Sequence, residues 1–280
     1  MSEAAQVAED AGLLRSPRSR VRRALAPPAP RPRPTPHRTV TLLGGFGLAV
    51  DGRAVAIPAA FQRAISFLAL RGRCGRSRLA GTLWPETTEL RAMASLRTAI
   101  WRVNQVAPGI VVTDHDVIAL ADDVDVDVAR LVRAAHDVMD GTSTIPQEPT
   151  LQYVEGDLLP DWSDEWLVVD RERLRQLRLH LLETLAGRLA AEGLFGMALE
   201  TALAALRVDP LRESAHRAVI RIHLAEGNLA EAVHAYRQCR ALLAREFGVA
   251  PSEETARLVS ALPPALTAAC ADCRELTAAS

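Results

Sequence analysis

Lysine is absent from this 280-residue chain, and all 33 basic residues are arginine. A bias this complete is typical of a GC-rich coding sequence. The number of arginines alone therefore indicates no function. Aromatic residues make up only 4% of the chain, which argues against stacking of single-stranded nucleic acid on aromatic rings. The 4 cysteines are too few for a disulfide scaffold and fit a reducing cytoplasm.

Several functional signatures are missing as well. No apolar run reaches the roughly 18 residues of a membrane span, and the N-terminus has no apolar segment of signal-peptide length, so we expect a cytoplasmic protein. The sequence has no phosphate-binding loop motif, because the Gly44-Gly45-x-Gly47 run lacks a following helix. Nor does any spacing suggest a Ser-His-Asp site. We therefore predict no enzyme, catalytic residue, cofactor or metal.

Three groups of residues could be mistaken for sites. Cys270 and Cys273 form a lone C-x-x-C without a second pair. His223 and Glu226 are spaced for a metal, but solvated or hydrogen-bonded histidines explain the helical histidines more simply. The acidic group Asp161, Asp164 and Glu165 lies beside two tryptophans. We interpret these acids as a solvated face and the tryptophans as packing anchors.

The formal net charge of −1 conceals a strong segregation of charge. Residues 1–38 hold eight arginines against three acids, and residues 39–108 hold nine against three. Residues 109–170 hold only two against fifteen, whereas 171–280 are nearly balanced with fourteen against thirteen. A basic module beside an acidic belt is expected of a domain that faces phosphate.

A stretch between residues 76 and 103 has the pattern of a helix-turn-helix. Ser77 is placed to cap a short apolar helix, and Trp84-Pro85 ends it because proline cannot continue a helix. Apolar residues then recur at spacings of three and four, which predicts a buried stripe on a second, longer helix. The stripe consists of Ala92, Leu96, Ala99, Ile100 and Val103.

The opposite face of this second helix carries side chains suited to contact phosphates and base edges in a major groove. Its residues are Arg91, Ser95, Thr98, Arg102 and Gln105, with Arg97 and Trp101 on the shoulder. Alone, the pattern would favour an ordinary amphipathic helix with a solvated basic face. The neighbouring segments favour DNA binding instead.

Those segments complete a winged helix with an N-terminal sheet. Short β-type runs begin at residue 39, with a tight-turn signal at Asp51-Gly52, and a helix is predicted over 61–70. Two β runs around Asp114-His115-Asp116 predict the hairpin that forms the wing. We therefore predict a mixed α+β DNA-binding domain over residues 39–130, preceded by a disordered Arg/Pro-rich arm over 1–38.

The second half is predicted to be all helix. Helices are expected at about 128–138, 171–192, 195–207, 212–225, 229–247 and 252–261, with a loop over 140–150. An Ala-Glu-Gly motif ends at Gly193 and recurs at Gly227, 34 residues on, which is the period of tetratricopeptide repeats. The alternative is a generic helical bundle. The prediction is a repeat-like helical domain over 131–262 and a flexible tail over 263–280.

The segments GDLLPDWSDEW and LAREFGVAPSEET closely resemble the bacterial transcriptional activator domain (BTAD) of the Streptomyces antibiotic regulatory protein (SARP) family. Residues 39–130 resemble the OmpR-like winged helix of that family, through the run LAGTLWPETTELRAMASLRTAIWRV. The resemblance covers roughly residues 39–262. The matching landmarks are Gly156, Leu158, Leu159, Pro160, Trp162, Trp166, Arg171, Arg173, Gly248 and Pro251.

The resemblance implies a nucleoid-associated transcriptional activator that binds direct-repeat promoter sites in double-stranded DNA, often upstream of secondary-metabolite genes. It also implies recruitment of the RNA polymerase holoenzyme, and tandem sites would suit a homodimer. By motif match, the recognition helix carries Arg91, Ser95, Arg97, Thr98 and Arg102, with Trp101, Gln105, Arg76 and His115 as further candidates for DNA contact.

One departure from the family pattern is the wing, whose tip Asp114-His115-Asp116 carries acids where a DNA-contacting wing usually carries a basic residue. Carboxylates are repelled by phosphates, and His115 could assist only when protonated. This supports the alternative of a protein-interaction or ligand-sensing adaptor whose winged helix does not read DNA.

Overall fold

The computed structural model describes residues 37–141, 156–260 and 262–263. Most of the predicted arm and tail, most of the 140–150 loop, and Cys270 and Cys273 lie outside the described residues. The strands are β1 Arg38–Thr41, β2 Gly47–Val50, β3 Arg53–Ala54, β4 Cys74–Gly75, β5 Val111–Asp114, β6 Val117–Leu120 and β7 Val124–Val126. The helices are α1 Ala59–Arg71, α2 Arg76–Leu83, α3 Glu89–Val106, α4 Asp127–Met139, α5 Leu167–Ala191, α6 Phe195–Val208, α7 Glu213–Glu226, α8 Leu229–Phe247 and α9 Glu253–Ser260.

The N-terminal sheet has the strand order β3-β2-β1-β7. Asp51 and Gly52 connect β2 to β3 with φ angles of 51° and 75°, so the tight turn predicted from this pair is confirmed. Strand β1 is antiparallel to β2 and parallel to β7. Strand β7 is not among the predicted strands, although the alternation Val124-Asp125-Val126 is a strand pattern.

The second sheet has the order β4-β6-β5 and contains the wing. Strands β5 and β6 pair in register from Val111–Leu120 to Asp114–Val117, which confirms the predicted hairpin. Ser77 is not a helix cap, because α2 begins one residue earlier and has Gly75 at its N-cap. The amide of Arg76 donates to the carbonyl of Asp116 at 2.9 Å, so the wing satisfies one of the amide donors at the start of α2.

Asp127 joins the N-terminal sheet to α4. Its carboxylate is buried and accepts the backbone amides of Leu42, Leu43 and Val128 at 2.7–2.9 Å. Three amide donors satisfy the carboxylate where water cannot reach it. The side chain of Asp127 therefore connects the end of β1 to the start of α4.

The helical half stacks in pairs, as the 34-residue period predicts. Helix α5 packs on α6, α6 on α7, and α7 on α8, while α9 packs against α7 and α8. The small residues that mark the repeat, Ala198, Ala202, Ala205, Ala232 and Cys239, are all fully buried. Their size lets paired helices approach closely, and the fold is a winged helix followed by a repeat-like all-α domain.

Residues 156–166 pack against the N-terminal half, and we call this segment the clamp. Leu158 forms a β-bridge with Leu43 at the end of β1, and the amide of Leu159 donates to the carbonyl of Leu42 at 2.9 Å. Trp162 stacks on Phe46 with centroids 6.4 Å apart. The two halves therefore share one continuous core.

Trp166 packs on Phe67 of α1 at 5.2 Å, so both tryptophans of the clamp are packing anchors, as predicted. The interpretation of the neighbouring acids as a solvated face is wrong for Asp164. Its carboxylate is only 12% exposed and pairs with Arg63, and it also accepts the indole N–H of Trp166 at 3.1 Å. Asp164 ties the clamp to α1.

Helix α4 contains the predicted domain boundary at residue 130, and it packs against both β1 and α5. Among the histidines, His216 is buried with its ring 2.9 Å from the carbonyl oxygen of Pro210, which confirms the hydrogen-bonded interpretation for this residue. Within the described ranges, no helix is both long and apolar enough to cross a membrane.

Candidate nucleic-acid interface

Helix α3 is held by one buried stripe against the rest of the winged helix. Ala92, Leu96, Ala99 and Val103 are at most 2% exposed, and Ile100, predicted in the same stripe, is half-buried. The stripe packs on α1 and α2. This arrangement presents the opposite face of α3 to solvent over its whole length.

The exposed face carries nearly all the residues predicted to contact DNA. Arg91, Arg97, Thr98, Trp101, Arg102 and Gln105 are exposed, whereas Ser95 is half-buried. Trp101 is 62% exposed. It lies two helical turns beyond Ala94, on the side of α3 opposite the buried stripe. Trp101 is therefore at the centre of the exposed face rather than at its edge. Leu90, 84% exposed, is not among the predicted contacts, although an apolar residue at the helix start can contact a thymine methyl group.

Two of these side chains already have partners within the protein. The Thr98 hydroxyl donates to the carbonyl of Ala94 at 3.0 Å. The Arg102 guanidinium lies 6.0 Å from the ring centroid of Phe61 on α1, within the range of a cation–π contact. Arg102 is therefore held toward the α1 side of the helix.

Two groups of arginines in the N-terminal half differ in their partners. Arg38, Arg63 and Arg71 each form an ion pair with a residue of the acidic belt: Asp123, Asp164 and Asp170, respectively. By contrast, the arginines of α2 and α3 form no ion pair with any described residue; these are Arg76, Arg78, Arg91, Arg97 and Arg102. The belt thus neutralises Arg38, Arg63 and Arg71 and leaves the arginines of α2 and α3 without a carboxylate partner among the described residues.

Arg76, a further candidate, is half-buried at the start of α2, and its Nε has no hydrogen-bond partner in the described structure. Arg78 on the same helix is exposed. Between residues 76 and 106 the chain has five arginines and two glutamates. Three of these arginines, Arg91, Arg97 and Arg102, lie on the exposed face of α3.

The wing is fixed to α3 by Asn104, whose side chain bonds both the carbonyl and the amide of Val111 at 3.1 and 3.2 Å. At the wing tip, His115 is 97% exposed and its Nδ1 lies 2.8 Å from the Asp114 carboxylate. Asp114 also lies 3.9 Å from Arg73, and Asp116 is exposed. The tip presents carboxylates to solvent, as its sequence predicts.

Comparison of the sequence with known proteins identifies a family and a relative. The family model of the bacterial transcriptional activator domain matches residues 120–262. The regulatory protein AfsR of Streptomyces coelicolor is 30% identical over 218 residues, which cover 72% of this chain and 22% of AfsR. The chain thus spans about a fifth of the length of this curated relative.

Among solved structures, Mycobacterium tuberculosis EmbR in complex with a low-affinity phosphopeptide superposes with a TM-score of 0.68 at 18% sequence identity. The match covers 87% of this chain and 72% of the EmbR chain. At that identity the likeness concerns the fold. It extends over both the winged helix and the helical half.

A winged helix with an exposed basic helix face, fused to a repeat-like helical domain, defines a class of bacterial transcriptional regulators. The chain belongs to the bacterial transcriptional activator domain family, as a regulator of the Streptomyces antibiotic regulatory protein type.

Proposed function

We propose that this protein is a sequence-specific, double-stranded-DNA-binding activator that reads promoter sites with helix α3. The proposal is supported by the difference in ion pairing between two groups of arginines. Arg38, Arg63 and Arg71 are paired with acids, whereas the arginines on the exposed face of the helix-turn-helix have no carboxylate partner among the described residues. Unpaired guanidinium groups on one exposed helix face are suited to bind phosphates and guanine edges.

The residues divide by their place on α3. Arg91 lies in the first turn, where the free backbone amides of the helix also face outward, so it suits a phosphate. Arg97, Thr98 and Trp101 lie farther along the exposed face and suit base edges. Arg102 is held by Phe61 at the flank, and Ser95 is half-buried, so both suit the groove wall.

Selection of genomic fragments by the purified protein at about 150 mM salt tests this proposal, since this salt weakens purely electrostatic binding. We expect recovery of a short direct repeat with a spacing near one helical turn, about 10–11 base pairs. The Arg97→Ala/Arg102→Ala variant should lose it. Arg240→Ala is the matched control, because Arg240 is an exposed arginine of α8 that forms no ion pair with any described residue.

The affinities of the single variants separate the two kinds of contact. A residue that reads a base should cost about 1–3 kcal/mol on the selected site and less on other sequences. A residue that contacts only phosphate should weaken binding equally on all sequences and lower the salt dependence. Unchanged affinity in both Arg97→Ala and Arg102→Ala would contradict the proposed reading face.

We further propose that two protomers bind a direct repeat in tandem and that the helical domain contacts the RNA polymerase holoenzyme near secondary-metabolite promoters. This places the protein on the nucleoid in the cytoplasm and assigns it no catalytic step. The support is family membership and the repeat-like fold, whose stacked helices offer an extended protein-binding surface. Footprinting with and without polymerase checks both points.

The acidic wing tip favours a second function, that of an adaptor in which the winged helix docks protein. Asp114 and Asp116 would repel phosphates if the wing approached a minor groove. The same purified protein distinguishes the two functions. Retention of no fragment above background, together with capture of a defined protein partner by the helical domain, would favour the adaptor.

A further inference from the structure

A cavity of about 980 Å³ lies between the clamp and helices α5 and α6. It is at the upper end of the range in which proteins hold small ligands. Gly156, Asp157 and Leu158 of the clamp form one wall, and four arginines line it: Arg171, Arg175, Arg178 and Arg207. Apolar side chains, among them Val168 and Val208, line the rest.

Arg178 is the most constrained of the four arginines. Its side chain is 6% exposed, and it donates to the carbonyl of Gly156 at 2.5 Å. Its carboxylate neighbour, Asp157, is 3.7 Å away and 86% exposed to solvent, and its Nε has no hydrogen-bond partner in the described structure. A buried guanidinium is costly when its one carboxylate neighbour among the described residues is exposed to solvent and 3.7 Å away, so an anion in this cavity would be stabilised.

Arg171 and Arg207 add charge without a carboxylate partner among the described residues. Arg171 donates only to backbone carbonyls of the clamp, those of Leu158 at 2.9 Å, Leu159, and Trp162 at 2.6 Å. Arg207 is exposed at the rim on α6. Both groups keep a full positive charge toward the cavity.

The carboxylates nearby do not cancel this charge. Arg175 is already paired with Glu172 at 2.9 Å and with Asp209 at 2.8 Å. Hydrogen bonds from Arg175 and Gln176 hold the pKa of Glu172 at about 2, so Glu172 is charged but satisfied. Besides Asp157, only the exposed Glu200 among the lining residues opposes the three remaining arginines.

We propose that this cavity binds a small organic oxyanion, a phosphate ester or carboxylate with an apolar body. The oxyanion would lie between Arg171, Arg178 and Arg207, which offer charge-assisted donors of the kind that bind such groups. The apolar body would lie against Val168 and Val208. Since the cavity wall is the clamp, a bound ligand would brace the joint between the helical and winged-helix halves.

Calorimetric titration of the full chain with phenyl phosphate, and separately with benzoate, distinguishes the two sources of the anion; phenol is the neutral control. We expect saturable binding of at least one anion and none of phenol. Hydrogen exchange should slow in peptides that cover residues 156–160 and 204–208. Binding that protects only other segments, or no saturable binding at millimolar concentration, would overturn the proposal.

Four variants test which charged side chains contribute to anion binding, and none of them changes a residue of the clamp. Arg207→Ala should weaken binding roughly threefold, as expected for an exposed ionic contact, and Arg207→Lys should restore much of it. Glu200→Gln should tighten binding because it removes a repulsive carboxylate. Arg240→Ala should match the wild type, and an equal loss in this control would show binding through overall charge and overturn the assigned site.

Discussion

The backbones of Gly44 and Gly156 touch, so that a Cβ at position 156 would lie 2.6 Å from the amide nitrogen of Gly44 and 2.9 Å from its Cα. The amide of Gly44 also donates to the carbonyl of Asp157 at 2.9 Å. Gly156 has a φ of 87°, which favours glycine. This contact joins the two halves of the protein at the bend between β1 and β2.

Gly156→Ala should therefore destabilise the fold by about 2–4 kcal/mol, through left-handed strain and overpacking. Denaturant unfolding measures the loss. Gly187→Ala is the control, because Gly187 lies within α5 and its added Cβ would meet nothing within 4 Å. That variant should be neutral or more stable by up to about 1 kcal/mol. Equal behaviour of the two variants would contradict the contact.

Asp127→Asn should cost roughly 3 kcal/mol of unfolding free energy, because an amide group cannot accept three charge-assisted backbone hydrogen bonds. Asp125→Asn supplies the comparison two residues away, since its carboxylate forms a partly exposed pair with Arg130 and its loss should cost less than about 1 kcal/mol. Thermal and urea unfolding provide both values. If Asp127→Asn loses no more unfolding free energy than Asp125→Asn, then Asp127 does not stabilise the connection between β1 and α4.

Glu213 should make the docking of α9 dependent on pH. Burial by itself raises the pKa of this carboxyl, but hydrogen bonds from Ser252 and Thr255, with the charge of Arg217, outweigh it and lower the pKa below its ordinary 4.5. The resulting stabilisation is complete above pH 4.5 and is lost as the pH falls through the lower folded-state value.

Glu213→Gln should thus be less stable than the wild type at neutral pH, and the gap should narrow in acid below pH 4.5. Unfolding at a series of pH values checks this. Glu253→Gln changes an 84%-exposed carboxylate on α9 and should leave the pH profile unaltered. A gap that stays constant with pH would show that Glu213 acts through packing alone.

Asp116→Asn should raise the affinity for DNA roughly two- to fivefold, because the wing tip then repels phosphates less. Binding titrations over a range of salt measure the change, which should shrink as salt rises. Glu231→Gln makes the same change of charge at an exposed position of α8 and should have no effect. If Asp116→Asn also has none, the wing does not approach DNA.

Much of the fold could be predicted from local patterns. The apolar spacing in α3 predicts its buried residues, and the 34-residue repeat predicts the stacked helices, because both depend on the chain's own periodicity. Local patterns did not predict strand β7, and they wrongly predicted that Ser77 caps α2. The pairing of β7 with β1 and the donation from Arg76 to Asp116 are contacts between distant segments.

The candidate interface divides in the same way. The sequence by itself determined most of the residues that α3 exposes and that the wing tip is acidic, because helical spacing and turn residues act locally. Only the tertiary structure decided which arginines stay free, since Arg63 and Arg71 meet Asp164 and Asp170 across about 100 residues of chain. Packing of the clamp and of the start of α5 on α1 brings these charges together, whereas Arg91, Arg97 and Arg102 on α3 form no ion pair with any described residue.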